Sequence, residues 1–148
     1  MDRGTSPAKG PGKRRILIVD DHPLVRLGLT ALIDNEPDLT VCASAANHRA
    51  GLEAIASSQP DLVIADLSLG IDDGLAMVEE IRSGHEDLPV LVLTMHDAPL
   101  YARRAFRAGA LGYVSKKEMT ETLLIAIWCV LRGERFVSPE IRAGLDTA

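Results

Sequence analysis

Charged and hydroxyl side chains stand directly after four short apolar runs of this sequence. Asp20 and Asp21 follow ILIV, Asp66 follows LVIA, Thr94 follows VLVL, and Lys116 comes two residues after LGYV. If these runs are parallel strands of one sheet, their carboxyl ends meet at one edge, where functional sites of open α/β sheets lie. The spacing therefore predicts one acidic site built from stretches far apart in the chain.

Three carboxylates at one edge need a counter-charge. Two like charges ~4 Å apart repel by about 4 kcal/mol at an effective dielectric of about 20, and Lys116 neutralises only one carboxylate. Either one carboxyl takes up a proton or a divalent cation binds. Oxygen donors with no His or Cys in a ligand spacing favour a hard cation such as Mg²⁺, which often binds together with a phosphate.

A phosphoryl group would give each remaining residue a task. Asp66 is a candidate nucleophile, since carboxylates form acyl phosphates, and Thr94 and Lys116 could contact phosphoryl oxygens from the other side. Each residue also has a structural reading: Asp20, Asp21 or Thr94 could cap a following helix, and Lys116 could be a solvated loop residue. Their coincidence at four strand ends favours the functional reading.

The elements that must position these residues alternate between strand-length and helix-length segments. The strand-length runs are Ile16–Val19, Leu39–Ala43, Leu62–Ala65, Val90–Leu93 and Leu111–Val114. The helical segments are Pro23–Asp34, Asn47–Ser57, Gly74–Ser83, Ala98–Ala108 and Glu118–Arg132. Continuously apolar strands are buried on both faces, so five strand–helix repeats predict an α/β fold with a parallel sheet and helices on both sides.

Composition fits one globular domain, with 47% apolar and 25% charged residues in 148. We expect a flexible tail over residues 1–14, a domain over 15–132, and a linker or C-terminal tail over 133–148. The net charge is −5, and the basic residues concentrate in the tail, so the domain's own surface is unsuited to nucleic acid. The longest apolar run, Leu123–Leu131, has nine residues, too few for a membrane span. No secretory signal precedes the domain, and we expect a cytoplasmic protein with no membrane contact.

Four motifs follow one another in the order ILIVDDHPLVRLGL, DLVIADLSLGIDDGL, LVLTMHD and GALGYVSK. With them, residues 15–132 resemble the receiver domain of bacterial two-component response regulators, most closely the NarL/FixJ class. The resemblance implies a CheY-like, flavodoxin-like (βα)5 doubly wound parallel sheet with strand order 2-1-3-4-5.

The resemblance also assigns a metal site and a phosphoacceptor. Asp66 would accept a phosphoryl group from a histidine kinase. Mg²⁺ would be bound directly by Asp21, by Asp66 and by the backbone carbonyl of Ser68, and mainly through water by Asp20. Gly70 stands where the family usually has proline, which loosens the loop without removing a ligand.

Three further residues would read the phosphoryl group. Thr94 and Lys116 would contact its oxygens and move inward, and Tyr113 would turn into the space that they leave. The surface of helix 4, strand 5 and helix 5 would change as a result. Met95 follows Thr94 and would narrow access to the site. Such a domain is not an enzyme and at most dephosphorylates itself slowly.

Several outputs remain open. We expect control of a helix-turn-helix DNA-binding effector absent from this chain, so that DNA would be bound only through that domain. A stand-alone receiver, acting by protein contacts or as a phosphoryl shuttle, is the alternative. A Mg²⁺-dependent phosphohydrolase is disfavoured, because it would need a second Asp where Ser68 stands. A phosphorylation-independent module is also disfavoured, because all three acids and Lys116 are present.

The fifth helical segment is too apolar for one buried face. Leu124, Trp128 and Leu131 form a second stripe beside the first. The stripe either packs against helix 1 on the same face of the sheet or forms a homodimer through helices 1 and 5. A homodimer through helix 4, strand 5 and helix 5 is the other arrangement.

Overall fold

Six parallel strands form one sheet in the computed structural model, which describes residues 12–67, 70–96 and 98–147. The strands are β1 (Arg14–Val19), β2 (Leu39–Ala45), β3 (Leu62–Asp66), β4 (Val90–Thr94), β5 (Gly112–Ser115) and β6 (Phe136–Val137). Their order across the sheet is β2-β1-β3-β4-β5-β6, and every neighbouring pair is parallel. The predicted order 2-1-3-4-5 is confirmed, and β6 extends it.

Helices cover both faces of this sheet. They are α1 (Pro23–Asp34), α2 (His48–Ser58), α3 (Ile71–Gly84), α4 (Pro99–Ala108), α5 (Met119–Leu131) and α6 (Pro139–Thr147), with a 3₁₀ turn over Lys116–Glu118 before α5. Among the described helices, none is both long enough and apolar enough to cross a membrane.

Alternate strand residues feed two separate cores. Ile16 and Ile18 pack with α1 and α5 on one face, whereas Leu17 and Val19 pack on the other face with α2, α3 and α4. Every residue of β3 and β4 is buried. Both faces of these strands are buried because their residues are continuously apolar. Burying each aliphatic side chain stabilises the fold by about 1.5–3 kcal/mol relative to leaving it exposed.

A proline begins α1 and a glycine ends α4, each in a position that suits its backbone. Pro23 occupies the first turn of α1, where a missing backbone N–H costs nothing. Gly109 ends α4 with a φ of 116°, a conformation that favours glycine. A Cβ at Gly109 would also lie 2.6 Å from Cγ of Arg82 in α3. The neighbouring helix α3 and the positive φ of Gly109 therefore both exclude a larger side chain at this position.

The segment after residue 132 is ordered, although we expected a linker or tail there. Phe136 and Val137 pair with β5, and Ile141 of α6 is 1% exposed. A Cβ on Gly144 would lie 2.5 Å from Cγ of Pro99, so α6 approaches the start of α4 closely. A two-residue strand and a helix with one fully buried side chain leave no period in the sequence, which is why neither was predicted. At the other end, Arg14 already belongs to β1, and the expected tail over 1–11 lies outside the described residues.

Replacing Ile141 tests whether α6 is part of the domain. Ile141→Ala should lower the free energy of unfolding in urea by about 2–4 kcal/mol, because it leaves a cavity under the helix. Glu140→Ala, at the exposed neighbouring position, is the matched control and should stay within about 0.5 kcal/mol of wild type. Equal stability of the two variants would show that α6 does not pack on the domain.

Candidate functional site

The sheet topology collects the predicted side chains at the carboxyl edge. Asp20 follows β1, Asp66 ends β3, Thr94 ends β4 and Lys116 follows β5. The parallel registers align Asp66 with Leu93 and Thr94 with the residue before Lys116. The four strand ends therefore meet as the sequence predicts.

A partly buried lysine lies between two buried carboxylates. Lys116 Nζ is 3.0 Å from Asp66 Oδ2 and 3.3 Å from Asp20 Oδ2. The carboxylates are 1% exposed, so little solvent screens either ion pair. Asp20 Oδ2 accepts no hydrogen bond from any described group, although the ammonium lies within ion-pair distance. One ammonium thus serves two buried carboxylates, and the balance stays negative.

Asp21 adds a third carboxylate from the solvent side. Its side chain is 46% exposed, and one oxygen each of Asp20, Asp21 and Asp66 lies within 4.8 Å of the others. A single ion could contact all three, and a carboxylate-rich set suits a hard divalent cation. The donor chemistry, the excess negative charge and the unsatisfied Asp20 oxygen fit a bound cation. Ser68, whose carbonyl we expect as a further ligand, lies outside the described residues.

His22 corrects the prediction that no histidine lies close to the carboxylates. Its Nδ1 is 3.0 Å from Asp20 Oδ1, 3.0 Å from Asp21 Oδ1 and 3.8 Å from Asp66 Oδ2. Because Pro23 follows, His22 takes an extended backbone (φ −97°, ψ 110°), and its N–H donates to Asp20 Oδ1 over 2.9 Å. Ligand spacing in the sequence misses this arrangement, but the restriction that proline places on the preceding residue is a usable signal.

Thr94 is buried and takes part in a local turn. Its Oγ1 accepts the backbone N–H of His96 at 2.9 Å. This contact closes a turn after β4 and does not cap α4, whose N-cap is Ala98, so the alternative in which Thr94 caps the following helix is not what the structure has. A hydroxyl that accepts can still donate, so the Thr94 proton remains usable toward a group placed beside Asp66.

Tyr113 lies inward, beneath the loop after β4. Its ring is fully buried, its hydroxyl donates to the carbonyl of His96 at 2.5 Å, and it packs at a tilt against Phe106 with the centroids 6.5 Å apart. The backbone N–H of Ser138 donates to the Tyr113 carbonyl at 3.0 Å. Tyr113 thus joins the β4–α4 loop to β5 and β6.

Loop residues around the acidic cluster differ from the expectation in one respect. Gly70, immediately before α3, has a φ of 113°, which the proline ring cannot adopt. The backbone conformation at position 70 therefore requires glycine and does not merely tolerate it. Met95 is 52% exposed and follows Thr94 at the solvent side.

Comparison with known proteins agrees with this geometry. The family model described as "Response regulator receiver domain" matches residues 16–128. The chain is 38% identical over 131 residues to the methanol utilization control regulatory protein MoxX of Paracoccus denitrificans, covering 86% of this chain and 57% of that protein. It is 31% identical over 130 residues to the transcriptional regulatory protein UhpA of Salmonella typhimurium, covering 88% and 65% respectively.

A solved structure shares both fold and sequence. The two-component response regulator of the LuxR family from Aurantimonas superposes with a TM-score of 0.86 at 36% identity, covering 91% of this chain and 96% of that one. The chain spans 57% to 65% of the length of the two curated relatives. With the matched family, the shared fold and the acidic site in agreement, the chain belongs to the receiver domains of two-component response regulators, in the NarL/FixJ class.

Proposed function

We propose that this chain is a phospho-accepting domain in which Asp66 takes a phosphoryl group from a histidine kinase in the cytoplasm. The observation that carries the proposal is the buried Asp66 carboxylate, held 3.0 Å from the Lys116 ammonium beside Asp20 and Asp21. Catalysis of turnover is not its task, beyond slow loss of its own phosphoryl group.

The transfer needs an oriented carboxylate and a compensated charge. An Asp66 oxygen attacks phosphorus, the phosphorus–nitrogen bond to the kinase histidine breaks, and that histidine keeps the electron pair. Lys116 orients Asp66 and offsets part of the charge on the transferred oxygens, and the Thr94 hydroxyl can donate to another oxygen. We assign Mg²⁺ to Asp21, Asp66 and the Ser68 carbonyl, with Asp20 acting mainly through water. The ion would supply the positive charge that lets dianionic phosphoryl approach the carboxylates.

Two hydrogen bonds in the loop after β4 offer a route from the site around Asp66 to the surface. A phosphoryl group adds about −1.5 to −2 charges and strong acceptors, which attract Thr94 and Lys116. Thr94 holds the N–H of His96, and the His96 carbonyl holds Tyr113. We propose that phosphorylation stabilises the inward Tyr113 and so biases the α4, β5 and α5 surface toward its active form.

An effector would read that surface. The relatives MoxX and UhpA are described as regulatory proteins, and this chain spans only part of their length. We propose that the domain controls a helix-turn-helix DNA-binding domain outside this chain, and that DNA contacts belong to that domain. The excess of acidic over basic side chains on residues 16–148 supports this division, since phosphate binding needs positive charge.

A homodimer is the second part of the proposal. The predicted stripe of Leu124, Trp128 and Leu131 packs partly buried against the core beneath α1 and α5, as the intramolecular alternative expects. Leu24 and Leu27 of α1 stay exposed at 81% and 67%, and Ile125 of α5 at 62%. Leu100 of α4 is also exposed, at 55%, but α1 has two apolar side chains that are more exposed; this favours contact between copies through α1 and α5 rather than through α4, β5 and α5.

The phosphoacceptor is tested with acetyl phosphate and intact mass spectrometry. With Mg²⁺, wild type should gain one hydroxylamine-labile phosphoryl group, because an acyl phosphate is cleaved by that nucleophile. Asp66→Asn should gain none. Asp87→Asn, at the amino edge of the sheet and exposed, is the matched control and should label like wild type. Full labelling of Asp66→Asn would overturn the proposal.

The route through Thr94 is tested by separating labelling from switching. Thr94→Val should still bind the phosphoryl analogue beryllofluoride, but lose a charge-assisted hydrogen bond of about 1.5–3 kcal/mol. The changes in amide chemical shift that analogue binding causes in α4 and β5 should therefore be much smaller in Thr94→Val than in wild type. Thr94→Ser keeps the hydroxyl and should shift like wild type. Unchanged shifts in Thr94→Val would exclude this route.

Dimerisation is tested by sedimentation with and without beryllofluoride. Wild type should associate with the analogue, whereas Ile125→Glu should stay monomeric, because a buried unpaired charge costs several kcal/mol. Glu121→Gln on the same helix, also exposed, should associate like wild type. A wild type that sediments as a monomer under both conditions contradicts a dimer.

A further inference from the structure

His22 is the one member of the cluster that the phosphoryl-acceptor chemistry leaves without a role. Its Nδ1 approaches Asp20 Oδ1 and Asp21 Oδ1 at 3.0 Å each. One donor atom each of Asp20, Asp21, His22 and Asp66 falls within a mutual 4.8 Å. The imidazole therefore stands in ligand range of the same point as the three carboxylates.

The backbone holds the ring in this position. His22 is the residue before α1, with Pro23 in the first turn, and its N–H donates to Asp20 Oδ1. Arg26 Nη1 donates to the carbonyl of Asp20 over 2.6 Å, which fixes the same turn from the helix side. These two contacts fix the backbone on both sides of His22, and Nδ1 already faces Asp20 and Asp21 at 3.0 Å, so the imidazole needs little reordering to act as a ligand.

A second observation, the state of the buried Asp20 carboxylate, points to a cation here. Asp20 Oδ2 is buried without a hydrogen bond from the described residues, and Lys116 is the ammonium that faces both Asp20 and Asp66. Asp20 Oδ2 therefore has one shared ammonium at 3.3 Å and no hydrogen bond from the part of the chain that the structure describes, which only partly offsets its burial. A metal ion bound among these groups would satisfy the oxygen and the charge together.

The kind of donor decides which cation is favoured. Mg²⁺ prefers oxygen ligands and keeps its waters, whereas an imidazole nitrogen raises affinity along the series from Mn²⁺ to Cu²⁺, with Zn²⁺ also well served. Binding through Nδ1 places the ring proton on Nε2. Since the side chain is 53% exposed, water can accept a hydrogen bond from that proton.

We propose that His22 Nδ1 is a fourth protein ligand, and that the mixed nitrogen–oxygen set makes the site select borderline divalent cations over Mg²⁺. The inference rests on the metal site of the proposed function and adds its selectivity. Such cations compete with Mg²⁺ for the acceptor site, so the metal supply would affect phosphoryl acceptance.

The test compares Co²⁺ and Mg²⁺ binding by isothermal titration calorimetry in wild type and His22→Phe. Phenylalanine keeps a ring and removes the nitrogen. The ratio of Co²⁺ to Mg²⁺ affinity should fall at least about tenfold in His22→Phe, with Mg²⁺ affinity changed much less. The visible absorption of bound Co²⁺ should change as well, because a nitrogen ligand is lost.

Two controls separate the possible failures. His85→Phe removes an exposed histidine after α3 and should keep the wild-type ratio. An unchanged ratio in His22→Phe, with Mg²⁺ still bound and lost in Asp66→Asn, would overturn the role of His22 and leave the proposed function standing. Mg²⁺ binding that is equal in wild type and Asp66→Asn would remove the metal site itself, and with it both proposals.

Discussion

Repulsion among three carboxylates at one sheet edge is the constraint on which the rest of this domain depends. Asp20 and Asp66 are almost completely buried, and the partly buried Lys116 places its ammonium between them. If β1 and β3 were free to move, repulsion would drive the Asp20 and Asp66 carboxylates apart and into solvent. The strands are not free, because β3 and β4 are buried along their whole length between two layers of helices. The apolar cores therefore offset the cost of an acidic edge that one ammonium compensates only in part.

Short, direct contacts join the acidic edge to α4 and to the C-terminal segment. The path from Thr94 through His96 to Tyr113 uses two hydrogen bonds, and Ser138 Oγ accepts the N–H of Ser115 at 2.9 Å. The last of these ties β5, which precedes Lys116, to the residue before α6. The approach of Gly144 to Pro99 then fixes α6 on the first turn of α4. The acidic edge is thus connected with α4 from two sides, through the residues after β4 and through the C-terminal segment. Rigid packing of this kind passes on small displacements instead of absorbing them.

Sequence patterns predict most of the scaffold, and their failures have physical causes. Apolar runs and helical segments identify five strands and five helices, and parallel topology alone brings Asp20, Asp66, Thr94 and Lys116 together. The sixth strand pairs through only Phe136 and Val137, too short a stretch for any period. His22 was missed because periodicity describes element interiors, whereas its position depends on a proline and a backbone hydrogen bond at a helix start. The Gly70 conformation is likewise a loop property, visible in sequence only as a departure from proline.

The two features of the site that the sequence did not predict, the position of His22 and the conformation of Gly70, both lie on its exposed side. Its buried half, made of Asp20, Asp66, Thr94 and Lys116, stands at strand ends whose positions the whole sheet determines. Its exposed half, with Asp21, His22, Gly70 and Met95, lies on loops whose backbone is set locally. Loops tolerate change that strands do not, so the exposed half of the site is freer to vary than the buried half. We expect a substitution at His22 or Gly70 to leave the geometry of Asp66 and Lys116 unchanged, because neither residue lies in a strand.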